Sequence, residues 1–365
     1  MAEMYDNEKI IKLLQNNPEK TDIINLLQTH DEQQHVLLKT AAEVKSKYVG
    51  NVVYFRGLIE YSNICGKNCK YCGIRKGNKK LSRYTMTEQE VIDAALYAYR
   101  EKYASIALQA GEINTEKFIE KITSLLERIN AETNNELGIT LSLGEQSEET
   151  LKMWKDKLGV RRYLLRIETS DKELYEKIHP NDETHNYQHR LDTLKLLRKL
   201  NYQVGTGVMI GLPFQTIENL ADDILFFKNS DVDMIGMGPY IEHSDTPLYE
   251  YRNQLLPIVE RYNLTLKMIA ICRIMFKDIN IVASTAMQAI NPKGREEAIM
   301  AGANIIMPNL TPQKYRESYL LYQNKPCLNE DAHHCKKCLE NRIRQTGNEI
   351  GYGAWGDAKH YFKRQ

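Results

Sequence analysis

Apolar residues along this chain follow two rhythms. Over residues 7–50 they recur at helical spacing, with Ile10, Ile11, Leu13 and Leu14 in one stripe and Ile24, Leu26 and Leu27 in another. Short helices are expected there, closed by Gly50 as a helix-end residue. From residue 52 the rhythm changes. Short β-rich apolar runs cover 52–62, 105–111, 138–144, 162–169, 203–212, 233–240, 280–287 and 303–309. Amphipathic stretches such as 87–102, 115–129, 190–200 and 217–228 lie between them and are long enough for crossover helices. Alternating strand and helix builds a parallel sheet. Eight repeats predict an α/β fold of the (β/α)8 TIM-barrel type. The rival, an open doubly wound sheet, needs a glycine-rich phosphate turn after the first strand, and none follows it. The expected organisation is an N-terminal helical segment over 1–50, the barrel over 51–311, and an extension over 312–365.

In barrels the chemistry sits at the C-terminal ends of the strands. Polar residues gather there in this chain. Gln109 and Glu112 follow the second run, Ser142 and Glu145 the third, and Arg166, Glu168 and Thr169 the fourth. Met209 and Pro213 end the fifth run, Tyr240 and His243 follow the sixth, Ser284 and Thr285 end the seventh, and Asn309 and Thr311 the eighth. Arg166 and Glu168 set opposite charges on one face of a strand at the barrel mouth. Two inward charges either pair with each other or bind a zwitterion.

Composition narrows the class. The 365 residues are 42% hydrophobic, enough for a sizeable core. The net charge is +1, from 49 basic and 48 acidic residues, which speaks against nucleic-acid and membrane partners. The basic stretch 75–80 reads as a solvated loop. No apolar run reaches transmembrane length, and the polar start Met1 to Asp6 is no signal peptide, so a cytoplasmic protein is expected.

Six of the seven cysteines fall in two clusters. In a cytoplasmic chain such clusters favour metal over disulfides. Cys272 stands alone in an apolar run and reads as a buried helix thiol. Cys65, Cys69 and Cys72 have C-x3-C-x2-C spacing directly after the first strand, with Tyr71 before the last thiol. Three thiolates can hold three irons of a 4Fe-4S cluster and leave one iron open. A structural zinc knuckle would want a fourth ligand, and His179, His185 and His189 lie far downstream.

This motif resembles that of the radical S-adenosylmethionine (SAM) superfamily. Within it, Tyr-Val-Gly at 48–50, Leu-Gln-Ala-Gly-Glu at 108–112, Thr-Leu-Ser-Leu-Gly-Glu at 140–145, Tyr-Leu-Leu-Arg-Ile-Glu-Thr at 163–169, Ser-Thr-Ala-Met at 284–287 and Ile-Met-Pro-Asn at 306–309 resemble the HydE maturase family of FeFe-hydrogenase. The resemblance implies a radical SAM enzyme acting in assembly of the di-iron subcluster of the hydrogenase. Its cofactors would be a SAM-binding 4Fe-4S cluster on Cys65, Cys69 and Cys72, and SAM itself. Tyr71 would pack on the adenine, with Met209 in a half-kept adenine motif where Phe214 replaces the usual acid. Gly111 belongs to Ala110-Gly111-Glu112, a partial match to the family's Gly-Gly-Glu element at the SAM amino group. Ser142, Glu168 and Arg190 would bind SAM, while Thr140, Arg166, Ser284, Thr285 and Tyr315 would line a small-molecule cavity. The implied partners are a small-molecule substrate, an electron donor such as ferredoxin or flavodoxin, and other hydrogenase maturation proteins. Biotin synthase and methylornithine synthase share much of this pattern. The strand segments after Cys72 carry no cysteine for a biotin synthase type of auxiliary cluster. A bare iron–sulfur electron carrier would not explain the polar barrel mouth.

Cys327, Cys335 and Cys338 form a late C-x7-C-x2-C group. Two readings are open: a second, labile iron–sulfur cluster, or a zinc site completed by His333 or His334. The neighbouring polar stretch 329–334 predicts a loop, and hence a surface site far from the barrel mouth.

Overall fold

The structure is a computed structural model that describes residues 5–329 and 332–365, without the side chains of 332–335. Three helices open the chain: α1 (Asn7–Gln15), α2 (Lys20–Leu27) and α3 (Asp31–Tyr48). Local chemistry starts each of the first two. Asp6 accepts the Lys9 N–H at the start of α1, and Glu19 and Asp22 form a reciprocal cap on α2. Gly50 follows α3 at φ 91°, and its N–H returns to the Lys45 carbonyl.

The barrel strands come next: β1 (Val52–Phe55), β2 (Gly57–Ser62), β3 (Ser105–Ala110), β4 (Gly138–Ser142), β5 (Arg162–Leu164) and β6 (Gln203–Thr206). They are followed by β7 (Met209–Ile210), β8 (Met234–Ile235), β9 (Gly238–Pro239), β10 (Asn280–Ile281) and β11 (Ile305–Ile306). One parallel sheet runs in the order β2, β3, β4, β5, β6, β8, β10. β11 closes it. Ala283 N–H donates to the Ile305 carbonyl on one side, while Arg56 and Leu58 donate to Ile306 and Pro308 on the other. β7 and β9 pair with each other just beyond the C-terminal ends of β6 and β8. The eight apolar runs therefore become the eight staves of a (β/α)8 barrel. Several of the runs are trimmed, the fourth and the seventh most usefully for the site. The fourth is a strand only as far as Leu164, and the seventh ends where α11 (Thr285–Ile290) begins.

Helices α4 (Glu88–Arg100), α5 (Glu116–Glu132), α6 (Glu148–Asp156), α7 (Lys172–Ile178), α8 (Tyr187–Lys199) and α9 (Ile217–Asn229) form the crossovers through α9. Thr87, Ser147, Asp171, Asn186 and Thr216 cap α4, α6, α7, α8 and α9 with side-chain oxygens. α10 (Ile258–Phe276) is buried on nearly every side, Arg261, Lys267 and Arg273 included, so it must be covered all round. The N-terminal helices supply the cover, since α1, α2 and α3 all pack on it.

After α12 (Gly294–Met300) and α13 (Gln313–Arg316), residues 319–327 cross the barrel mouth. Leu321 accepts the Gly73 N–H, Gln323 donates to Glu242, the Tyr322 and Thr285 hydroxyls bond at 2.9 Å, and Lys325 pairs with Glu60. The chain then passes through α14 (Ala332–Gln345) to β12 (Glu349–Ile350), which adds to the outer side of β1, and ends with α15 (Lys359–Phe362). Between the last two elements, residues 355–358 seal the barrel base. Arg162 bonds Asp357 and the Trp355 carbonyl, while Arg56 and Asn280 both donate to the Gly356 carbonyl.

Candidate active site

The cysteine loop leaves the end of β2 and folds back across the mouth. Its backbone is held by groups distant in sequence. Gly66 N–H donates to the Glu112 carbonyl at 2.8 Å, and Glu112 N–H donates to Cys65 Sγ at 3.3 Å. Gly111 has no room for a side chain, because a Cβ there would lie 2.3 Å from the Ile64 carbonyl oxygen and 2.7 Å from Cys65 Cβ. Lys70 N–H reaches the Ile178 carbonyl. Asn68 N–H donates to His185 Nε2 at 2.9 Å, so that nitrogen is an acceptor and Nδ1 carries the proton towards Asp182, 2.7 Å away. His179 works in the same way. Its Nδ1 lies 2.8 Å from the Tyr175 carbonyl, which leaves Nε2 to accept from the Tyr71 hydroxyl at 3.2 Å. Burial lowers the His179 pKa to about 3 and keeps the ring neutral. The two histidines that looked remote along the chain are thus props of the loop.

Cys65, Cys69 and Cys72 line one cavity of about 350 Å³ at the strand ends. Burial pushes all three thiols up, Cys69 to about 12 with Cys65 adding to the effect. Three thiolates need a strongly cationic group in their midst. No three described His, Cys, Asp or Glu side chains converge tightly enough to hold a single metal ion. A 4Fe-4S cluster spreads its thiolates over separate irons, so three cysteines along one wall suit it.

Beside the loop stands a buried quartet of charges. Lys67 lies 3.0 Å from Glu112 and 2.9 Å from Glu145. Arg190, in the first turn of α8, lies 3.2 Å and 2.7 Å from the same two carboxylates. Burial alone would raise the Glu112 pKa, but Arg190 and Lys67 outweigh it and hold the carboxyl below its usual range. Gly144, at φ 76°, forms the cradle, since a Cβ there would meet Glu112 Cγ at 1.9 Å. Across the cavity Arg166 forks onto Glu168, with Nε 3.0 Å from both carboxylate oxygens and Nη2 2.8 Å from one.

Most of the expected site residues meet here. Tyr71, Gly111, Ser142, Glu168, Arg190 and Met209 line the cavity, as do Arg166, Ser284 and Thr285. The Ser284 hydroxyl is buried there without a hydrogen-bond partner among the described residues. Two expected residues do not line this cavity. Thr140 lies below the cavity floor, where its hydroxyl accepts from Arg162 Nε at 2.9 Å. The pleat and the short strand put it one layer too deep. Tyr315 lies outside the cavity, stacked on Tyr84 at 4.5 Å with its hydroxyl on Glu90. Tyr319 and Tyr322, a few residues further along the chain, line the cavity instead. Sequence reading also missed Lys67, Lys325, Glu60 and Arg295. The signal for Lys67 was its place inside the cysteine motif, but only the fold brings Glu145 to it.

The late cysteines correct another expectation. Cys327 lines the central cavity, with Arg295 Nη2 3.8 Å from its sulfur, so it is not far from the barrel mouth. Cys338 is exposed on α14. Helix α14 starts at Ala332, so His333 and His334 sit in its first turn rather than in a loop. The side chains of Cys335, His333 and His334 lie outside the described residues. Cys272 is buried within α10, as expected.

Comparison with known proteins matches this geometry. Residues 59–227 match the model of the Radical SAM superfamily. The chain is 42% identical over 327 residues to FeFe hydrogenase maturase subunit HydE of Thermotoga maritima, covering 90% of each protein. It belongs to the HydE family of radical SAM enzymes. HydE-type chains have relatives further off. A 3-methylornithine synthase of Methanosarcina acetivorans is 28% identical over 82% of this chain and 81% of its own length. Among solved structures, methylornithine synthase superposes with a TM-score of 0.77 at 23% identity, covering 95% of this chain and 97% of that one. The hydrogenase maturase HydG of Carboxydothermus hydrogenoformans superposes with a TM-score of 0.79 at 20% identity, covering 97% and 81%. These two likenesses establish the shared barrel fold. A radical SAM enzyme uses a 4Fe-4S cluster and SAM, takes an electron from a donor, and, in this family, acts on a small molecule. No helix among the described residues is long and apolar enough to cross a membrane.

Proposed function

We propose that this chain is a hydrogenase maturase that cleaves SAM reductively and acts on a small molecule during assembly of the FeFe-hydrogenase di-iron subcluster. The observation that carries the reading is the shared cavity, with three thiols of one short loop facing a buried Lys67–Arg190–Glu112–Glu145 quartet. Cys65, Cys69 and Cys72 would hold the cluster. When bound, cluster and SAM together supply a one-electron cleavage of the sulfonium carbon–sulfur bond, with methionine and a 5′-deoxyadenosyl radical as products. Glu112 and Arg190 offer a carboxylate and a guanidinium to the ammonium and carboxylate of an amino-acid tail. Ser142 adds a hydroxyl, and Glu168, released from Arg166, adds a second carboxylate for hydroxyls. Tyr71 and Met209 supply apolar surface for a purine. Arg166, Ser284 and Thr285 line the remainder and suit a small polar substrate. The strap over 319–327 and the plug over 355–358 exclude bulk water from the two ends, which protects a radical from quenching.

Cys327, Cys335 and Cys338 would hold a second, labile cluster, with Cys327 as its member on the cavity side. Other maturation proteins and a cytoplasmic setting complete the reading. Anaerobically reconstituted, reduced enzyme is expected to convert SAM to 5′-deoxyadenosine and methionine, and Cys69→Ala to abolish this. Undiminished cleavage by Cys69→Ala sinks the cluster assignment. A gene deletion is expected to leave hydrogenase polypeptide without its di-iron site. A biotin or pyrrolysine auxotrophy would point to a relative's reaction instead.

A further inference from the structure

The proposed chemistry leaves the charge of the cysteine loop without a use. Residues 61–87 carry seven lysines and arginines and no aspartate or glutamate, in a chain of net charge +1. Two of the seven serve the interior. Lys67 joins the buried quartet, and Arg83 donates to the carbonyls of Asn63, Ile74, Arg75 and Asn78. Arg75 bonds Asn68, and Lys80 pairs with Asp245 at 2.6 Å. Lys76 and Lys79 stand exposed, and Lys70 points outward, its ammonium on the Lys177 carbonyl.

Lys70 sits between Cys69 and Cys72. Those two thiols line the central cavity, but Lys70 lines a separate groove on the outer surface. One short loop therefore lines both hollows. The groove is walled by Lys177, Phe214, Pro247, Leu248 and Tyr251, with Glu250 as its acid. Leu248 N–H donates to the Lys70 carbonyl, which ties the groove floor to the loop. Phe214 is 41% exposed at φ 68°, a conformation a bulky residue seldom adopts. Its ring meets Tyr251 edge-on at 4.7 Å, and the Lys177 ammonium stands 5.7 Å from its centre. A strained backbone that holds an aromatic ring in water points to a contact with something else.

We propose that this face docks a small acidic protein carrying a one-electron centre, and that the proposed active site receives its electron through the cysteine loop here. The proposal rests on the radical SAM reading above. In each encounter the donor's centre is oxidised by one electron and the thiolate-held cluster is reduced by one. No bond forms or breaks across the interface. Exposed lysines steer an acidic partner, and an aromatic ring at the centre of a polar rim is the usual anchor of a protein contact.

The test uses reconstituted holoenzyme and measures 5′-deoxyadenosine formation with two reductants, a reduced acidic flavodoxin and dithionite. In the triple variant Lys76→Glu, Lys79→Glu, Lys177→Glu, the flavodoxin-driven rate at low salt is expected to fall about tenfold or more. Its salt dependence is expected to flatten, and its dithionite-driven rate to match the unaltered enzyme. An unchanged flavodoxin-driven rate, or an equal loss with dithionite, overturns the docking face. If unaltered enzyme cleaves no SAM with dithionite, the proposed function itself fails, whatever the variant does.

Discussion

Two buried polar arrangements in the site, one ionic and one neutral, respond differently to a single substitution. Lys67 and Arg190 share Glu112 and Glu145, all four largely buried. Removing one partner of such a set leaves an uncompensated buried charge, which typically costs about 3 kcal/mol or more. Lys67→Met is therefore expected to lower the thermal midpoint of the apoprotein and to raise the pKa of Glu112. Calorimetry across pH would show both; an unchanged midpoint would mean Arg190 alone suffices. His179 gives a pH signature of another kind. Its folded pKa of about 3 lies below the ordinary imidazole value near 6.5, so folding favours the neutral ring. Its contribution to stability is complete above pH 6.5 and is lost progressively as pH falls from there towards 3. His179→Gln is expected to flatten that part of the stability–pH curve and to loosen Tyr71, whose hydroxyl it holds.

At the scale of elements, the cysteine loop and the strap over 319–327 are positioned by contacts rather than by their own propensity. Gly111→Ala would drive a Cβ into the Ile64 carbonyl and Cys65. Native circular dichroism with a sharp loss of bound iron after reconstitution is the expected outcome. Retained iron would show that the loop yields without cost. The strap hangs on Lys325, whose ammonium satisfies Glu60, a carboxylate only 1% exposed. Lys325→Ala strands that carboxylate and removes the Tyr319 carbonyl contact as well. Faster proteolytic nicking within 319–327 is expected, together with a lower thermal midpoint. The helical elements needed no such contacts to be foreseen. Their apolar stripes were written locally, in residues that recur at helical spacing.

Over the whole molecule, the barrel base is closed by residues that lie between 76 and 300 positions from their partners. Arg56 and Arg162 are both buried there, and Asp357 is the carboxylate facing them. Asp357→Asn is expected to destabilise the protein by about 3–5 kcal/mol in urea unfolding, because it leaves two guanidiniums without a counter-charge. Arg162→Leu in the same background should recover part of that loss; no recovery would mean the plug acts through Trp355 instead. Such closure could not be foreseen along the chain. β12 is two residues long, and nothing local sends it to β1. The strand runs, the crossover helices and the three-thiol loop at the first strand's end were legible in sequence, since period, capping and ligand spacing are local properties of neighbouring residues. Local pattern also placed Ser284 and Thr285 at the mouth. It could not tell Tyr315 from Tyr319 and Tyr322, because a short irregular segment has no period to set its inward face. Nor could it give the depth of Thr140, the seating of Cys327 in the cavity wall, or the meeting of Lys67 with Glu145. Those were decided by packing between segments far apart in the chain, where burial forces each charge to find whichever partner the closed barrel brings within reach.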